Sequence, residues 1–146
     1  MNPNKVYLTQ TDTTVGFLSQ NREKLNIIKQ RPVNQAVLRE VDSLKTLKKF
    51  VRIPKKHRNL VRRAKKTTFI YPNKESFRVV KDEKHLEFLS KFEWMYSTSA
   101  NLHSQKFDES WARKAADVIV ENKQGFFEGK ASKIYKINSL KIKKIR

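Results

Sequence analysis

Lys29 and Arg31 stand two residues apart directly ahead of Pro32, in the run IKQRPV. Proline holds the residue before it in extended geometry, so Arg31 is expected to leave the preceding helix and project to the same side as Lys29. A compact ammonium beside a planar guanidinium fork suits a polyphosphate. A second run, STSAN from Ser97 to Asn101, packs five small or polar residues directly behind a strand-like stretch. Two readings are open for it. Small hydroxyl and amide groups let a backbone approach a nucleotide-sized polar ligand while offering donors and acceptors, and Ser and Asn clusters equally mark tight turns. A third run, TQTDTTVG from Thr9 to Gly16, is rich in side-chain oxygens.

Other chemistries find little support. The chain of 146 residues has no cysteine, which removes disulfides, thiolate catalysis and Cys-ligated zinc together. His57, His85 and His103 are far apart, with no carboxylate or second histidine at ligand spacing, so no metal cage is expected and all three are expected at the surface. Lys and Arg number 33 against 14 Asp and Glu, a net charge of +19. Such a surface attracts polyanions, and a lysine-rich genome would produce the same balance without any nucleic-acid partner. The N-terminal MNPNKVYLTQ is too polar for a signal peptide, and no apolar run approaches the roughly 18 residues of a membrane span. A cytoplasmic protein without membrane contact is expected.

These residues need a scaffold. KVYL (Lys5 to Leu8), QAVLR (Gln35 to Arg39), TTFIY (Thr67 to Tyr71), FRVV (Phe77 to Val80), WMYST (Trp94 to Thr98) and KIYKI (Lys133 to Ile137) read as strands. Helices are expected through REKLNIIK, through SLKTLKKF behind Asp42 as N-cap, and through KHLEFLSKF. The longest, DESWARKAADVIVE, starts at Asp108 and would carry Trp111, Ala115, Val118 and Ile119 on one stripe. Pro54 can start a further helix through HRNLVRRA, arraying Lys55, Lys56, Arg58, Arg62 and Arg63 around Leu60 and Val61. That densest basic patch is either a solvated helix face or a contact for an RNA phosphate backbone. Strands and helices interleaved in this way predict one α/β or α+β domain over residues 1–146, built on a twisted mixed sheet flanked by helices.

The three polar runs, in this order, resemble the YrdC-like family of threonylcarbamoyl-AMP synthases. Its turn of the form P-T-D/E-T-x-x-G stands here as Gln10-Thr11-Asp12-Thr13 with Gly16, its K-x-R-P as Lys29-Gln30-Arg31-Pro32, and its S-x-N as Ser99-Ala100-Asn101. TTFIYP, FRVV and ASKI (Ala131 to Ile134) resemble weaker family segments, so the likeness runs from about Lys5 to Ile137. The resemblance implies a YrdC/RibB-like fold and a nucleotidyltransferase: L-threonine, bicarbonate and ATP, with Mg²⁺, would give threonylcarbamoyl-AMP and pyrophosphate. A partner enzyme would then pass the threonylcarbamoyl group to tRNA. Lys29 and Arg31 would be catalytic and bind ATP with Ser99, Asn101 and Ser132, while Thr11, Thr68 and Arg78 would bind threonine. Such transfer rests on positioning and on charge placed where negative charge develops, which needs no cysteine, histidine pair or triad. Departures are visible. Ala64-Lys65-Lys66-Thr67 replaces a usual Gly-Pro pair, Gln10 and Val15 replace Pro and an aromatic, and the stretch from Gly16 to Lys29 is short. A shortened member could instead be a non-catalytic module binding tRNA or double-stranded RNA.

Overall fold

Strands form where β-branched and aromatic residues cluster, and helices begin where a short polar side chain caps them. The computed structural model describes residues 1–146. In chain order its elements are β1 (Tyr7–Gln10), β2 (Val15–Ser19), α1 (Arg22–Ile28), β3 (Leu38–Val41), α2 (Leu44–Leu47) and, after a 3-10 turn at Lys55–His57, α3 (Arg58–Arg63). Next come β4 (Thr67–Ile70), β5 (Ser76–Val79), α4 (Glu83–Leu89), β6 (Trp94–Ser99), α5 (Glu109–Ala115), β7 (Val118–Ile119), β8 (Lys133–Ile137) and β9 (Ile142–Lys144). Asn21, Ser43, Asp82 and Asp108 cap α1, α2, α4 and α5, each accepting from a backbone N–H three residues on. Such caps are worth about 1 kcal/mol each.

The chain divides into two compact units, one of Met1–Val37 with Met95–Lys130 and one of Leu38–Trp94 with Ala131–Arg146. In the first, the strand order is β7-β1-β2-β6. β1 and β2 form an antiparallel hairpin, β6 runs antiparallel to β2 with Ser99 opposite Gly16, and β7 lies parallel to β1. Val6, Leu8, Val15, Phe17, Leu25, Ala100 and Ala112 make its core. In the second unit the order is β3-β5-β4-β8-β9, with β3/β5 and β4/β8 parallel and β4/β5 and β8/β9 antiparallel. Its core is Val41, Leu47, Val51, Ile53, Val61, Phe69, Tyr71, Phe77 and Ile137. All nine strands belong to one sheet, the pairing is mixed in each unit and both units carry helices, which is the α/β class with a mixed sheet expected.

Several expectations need correction. The helix from Asp108 ends at Ala115; Val118 and Ile119 form β7 instead of extending its stripe. Two β-branched residues favour a pleated surface, and β1 offers them an edge: Asp117 N–H and Val118 N–H both donate to Val6 O. The cap of α2 is Ser43, while Asp42 accepts from the Thr46 hydroxyl at 2.6 Å. QAVLR is displaced, since β3 starts only at Leu38. Pro54 precedes a 3-10 turn before α3, and of its apolar pair Val61 is buried while Leu60 is exposed. The sequence pattern does not predict β2, β7 or β9. β2 carries Gly16 and Ser19, which mask its pattern, yet all five of its residues are buried between β1 and β6. His57 and His85 are buried rather than at the surface. Packing of α4 draws the His85 ring onto Phe88, and its Nε2 meets the Glu40 carboxylate. No helix is long and apolar enough to cross a membrane.

Candidate active site

The K-x-R-P run is a helix ending. α1 stops at Ile28, Lys29 is its C-cap, and Gln30 takes the left-handed conformation at φ 57°. Gln30 N–H then donates to Ile27 O at 3.1 Å and Arg31 N–H to Asn26 O at 2.9 Å. This pair of bonds is the Schellman closure, which satisfies orphan carbonyls at a helix end and turns the chain sharply. Arg31 leaves the helix as expected. The segment past Pro32 is held by Asn26, a fully buried residue whose Nδ2 donates to both Val33 O and Gln35 O at 3.0 Å. Nothing in the sequence distinguished Asn26, because its partners lie beyond the turn that it closes.

The turn places Lys29 against the end of β6. Its Nζ donates to Ser99 O at 2.7 Å, to Asn101 Oδ1 at 3.2 Å and to Ser99 Oγ at 3.3 Å. The Ser99 hydroxyl donates to Asn101 Oδ1 at 2.6 Å, and Asn101 Nδ2 to Gln105 O at 2.6 Å. STSAN is therefore strand end and turn at once, and it supplies the groups that meet Lys29. The two motifs lie 70 residues apart in the chain and meet in one cluster.

Every hydrogen-bond partner of Lys29 is neutral. Burial, then the neighbouring Arg31 charge, lowers its pKa to about 8. Burial also lowers that of Arg31, whose Nε and Nη2 are buried with no hydrogen-bond partner. Buried, unmatched guanidinium N–H groups are costly. Two adjacent cations therefore stand here with no carboxylate to neutralise them.

Thr11 closes the turn that its motif forms. Its hydroxyl donates to Thr14 O at 2.6 Å and accepts from the N–H groups of Thr13 and Thr14 at 3.2 Å, closing the β1–β2 turn. One donor and two acceptor positions are all a hydroxyl has, so Thr11 shapes this turn. Segment 126–129 lies against the same hairpin: Phe127 N–H donates to Gln10 Oε1 at 3.0 Å and Gly129 N–H to Thr14 Oγ1 at 3.2 Å. A Cβ on Gly129 would stand 1.6 Å from Thr13 O.

In the second unit the Thr68 and Ser132 hydroxyls are 2.9 Å apart, and Arg146 donates from Nε to Ser132 O at 2.9 Å and from Nη2 to Ser132 Oγ at 3.3 Å. Arg78 Nη2 donates to Glu40 Oε2 at 2.9 Å, with both residues buried. Lys66, where the Gly-Pro pair is missing, has φ 51°, a conformation closed to proline. Lys55, Lys56, Arg58, Arg62 and Arg63 are all exposed around the 3-10 turn and α3. Lys56 Nζ donates to Leu140 O and Arg62 to Asn59 Oδ1.

No family model matches the sequence, and no curated protein matches it. Solved structures do. P. abyssi Sua5 complexed with L-threonine is similar at a TM-score of 0.81 and 15% identity, over 97% of this chain and 50% of that one. E. coli YciO is similar at 0.77 and 17% identity, over 98% and 82%. Full-length HypF in a phosphate- and nucleotide-bound form is similar at 0.75 and 13% identity, over 97% and 26%. The chain thus spans about half the length of the Sua5 structure. Identities this low speak for architecture alone. The chain has the YrdC-like α/β fold that Sua5 and YciO display.

Proposed function

We propose that the chain makes threonylcarbamoyl-AMP from L-threonine, bicarbonate and ATP, as a nucleotidyltransferase serving tRNA modification. The observation that carries this reading is the meeting of Lys29 with Ser99 and Asn101 beside the unpartnered guanidinium of Arg31. The triphosphate would take Lys29 and Arg31 as counter-ions, and its arrival would satisfy the buried N–H groups of Arg31. Ser99 and Asn101 would then hydrogen-bond phosphate or ribose. Magnesium enters as part of the ATP substrate, bound to phosphate oxygens. Threonine and bicarbonate would condense to a carbamate with loss of water, and the carbamate oxygen would attack the α-phosphorus as pyrophosphate leaves. The two cations act where charge builds on the phosphoryl oxygens, and fixed charges in a site of low polarity are the largest source of rate in such transfers. That a Sua5 of this fold was crystallised with L-threonine supports the choice of amino acid.

The test is pyrophosphate release with all three substrates and with each omitted in turn. Release that needs threonine and bicarbonate, and that Lys29→Ala reduces by about tenfold or more with the melting temperature retained, fits the loss of a group acting on transition-state charge. Release independent of threonine would sink the assignment. A second reading, a non-catalytic module binding tRNA or double-stranded RNA, is favoured by the five exposed cations of the 3-10 turn and α3 and by the conformation of Lys66. RNA binding with no pyrophosphate release selects it.

A further inference from the structure

The second unit contains a cleft of about 690 Å³ apart from the Lys29, Ser99 and Asn101 cluster, and of its lining only Lys55 also belongs to the basic patch of the RNA reading. It opens where two parallel strands end: Tyr71 is the residue after β4, and Asn138 the residue after β8. Thr68 and Ser132 sit at the amino ends of the same two strands. Three residues of strand, about 10 Å, separate Thr68 from Tyr71. Ligands of open α/β sheets gather outside the carboxyl ends of strands, and the volume lies within the range of about 300–1,000 Å³ typical of small-molecule sites.

The chemistry of the walls is specific. Phe50, Val51, Pro54 and Pro72 supply apolar surface. Arg52 and Lys55 line the cleft as exposed cations engaged in no ion pair, and no acidic residue lines it. In the wall, Tyr71 is only 2% exposed and its hydroxyl is buried without a hydrogen-bond partner. Burial raises the pKa of that phenol, so it remains a neutral donor. Asn138 spends its Oδ1 on the N–H groups of Leu140 and Lys141, which holds the β8–β9 turn in shape. Lys56, reaching Leu140 O, ties that turn to the 3-10 segment.

We propose that this cleft is a second ligand site that takes a nucleoside monophosphate unit, its base against the apolar walls and its phosphate between Arg52 and Lys55, with the Tyr71 hydroxyl as an internal hydrogen-bond partner. That unit has two sources, a free nucleotide or one residue of a single RNA strand, and the chemistry recognised is the same. Phosphate binding by two cations and stacking of a base on flat side chains are the ordinary means of holding such a group.

The experiment titrates adenosine monophosphate and an octauridylate strand by calorimetry into the Lys29→Ala protein, in which the first site has lost one of its two cations, so that the Arg52, Lys55 and Tyr71 substitutions below assign the binding to this cleft. Saturable binding at one site is expected. Joint replacement Arg52→Gln with Lys55→Gln should weaken it about tenfold or more, the scale of a lost charge-assisted hydrogen bond. Tyr71→Phe keeps every packing contact and removes only the unpartnered hydroxyl, so the unliganded protein should lose no stability while affinity falls severalfold. Binding of the mononucleotide identifies a free nucleotide, and binding of the octamer alone, with the same sensitivity to these substitutions, identifies RNA. Failure of both probes to bind overturns the site. Binding that Tyr71→Phe leaves unaltered also overturns it, since surface charge alone would then account for the interaction.

Discussion

Lys29 carries two properties at once: it is a buried cation, and its partners are neutral. With its pKa lowered to about 8 by burial and by Arg31, it is mostly charged at neutral pH and gives up its proton around pH 8 in the free protein. A bound triphosphate would restore that proton by its charge. ATP binding at pH 8.5 is therefore expected to take up a proton, and affinity should fall as pH rises through about 8. Calorimetry in buffers of different ionisation enthalpy reads the uptake directly, and Lys29→Ala should abolish it. The effect on stability has the opposite sense. Below pH 8 both folded and unfolded states hold the lysine proton, and the folded state bears its desolvation. Between pH 8 and the ordinary lysine value the unfolded state binds more protons, so this group makes stability rise with pH. A second residue-scale expectation concerns Gly129. A Cβ there would overlap Thr13 O and lie 2.8 Å from Thr13 C, and both are backbone atoms that cannot swing aside. Gly129→Ala should cost about 1–3 kcal/mol as overpacking does, read as a lower denaturation midpoint with an unchanged slope. A midpoint equal to that of the parent protein would mean that segment 126–129 does not lie against the hairpin turn.

Between elements, register is the controlling variable. β3 and β5 run parallel with Glu40 opposite Arg78, and the two side chains meet there as a buried ion pair, with His85 of α4 on the other carboxylate oxygen. A one-residue slip would turn every side chain to the opposite face, leaving both charges unmatched. Removing one partner of a buried pair leaves the other uncompensated, at a cost of about 3–5 kcal/mol. Glu40→Ala should therefore lower stability by that amount, measured by urea denaturation. A change below about 1 kcal/mol would show that the pair is open to solvent. The same logic explains why α5 stops early: the β-branched pair Val118–Ile119 gains a strand partner in β1 that a longer helix would forgo.

Over the whole molecule, a charge of +19 predicts association with polyanions but not where they bind. The exposed residues Lys55, Lys56, Arg58, Arg62 and Arg63 localise the expectation. If they neutralise RNA phosphates, each contact contributes a slope of about −0.9 on a duplex, or about −0.7 on a single strand, to log affinity against log salt. Replacing Arg58, Arg62 and Arg63 with Gln should flatten that plot by about two to three units, equally across sequences, while pyrophosphate release is spared. An unaltered slope would mean that this charge reflects composition alone. Loss of release together with RNA binding would mean that α3 belongs to the catalytic machinery.

What the sequence determined by itself was local. Asp108 caps the helix it precedes, KIYKI and most of TTFIY are strands, and Pro32 drives Arg31 off the helix, because caps, periodicity and proline act within a few residues. The likeness of three short runs to the YrdC-like pattern was legible for the same reason, since each motif is a turn whose shape its own residues set. The meeting of Lys29 with Ser99 and Asn101 was implied by that likeness, and no spacing revealed it. Tertiary structure alone decided the rest. It made Val118 and Ile119 a strand, buried His57 and His85, gave Asn26 the carbonyls of Val33 and Gln35, and set Glu40 against Arg78. Strand pairing, burial and the matching of buried charge depend on partners tens of residues away, and only the packed chain brings those partners within bonding distance.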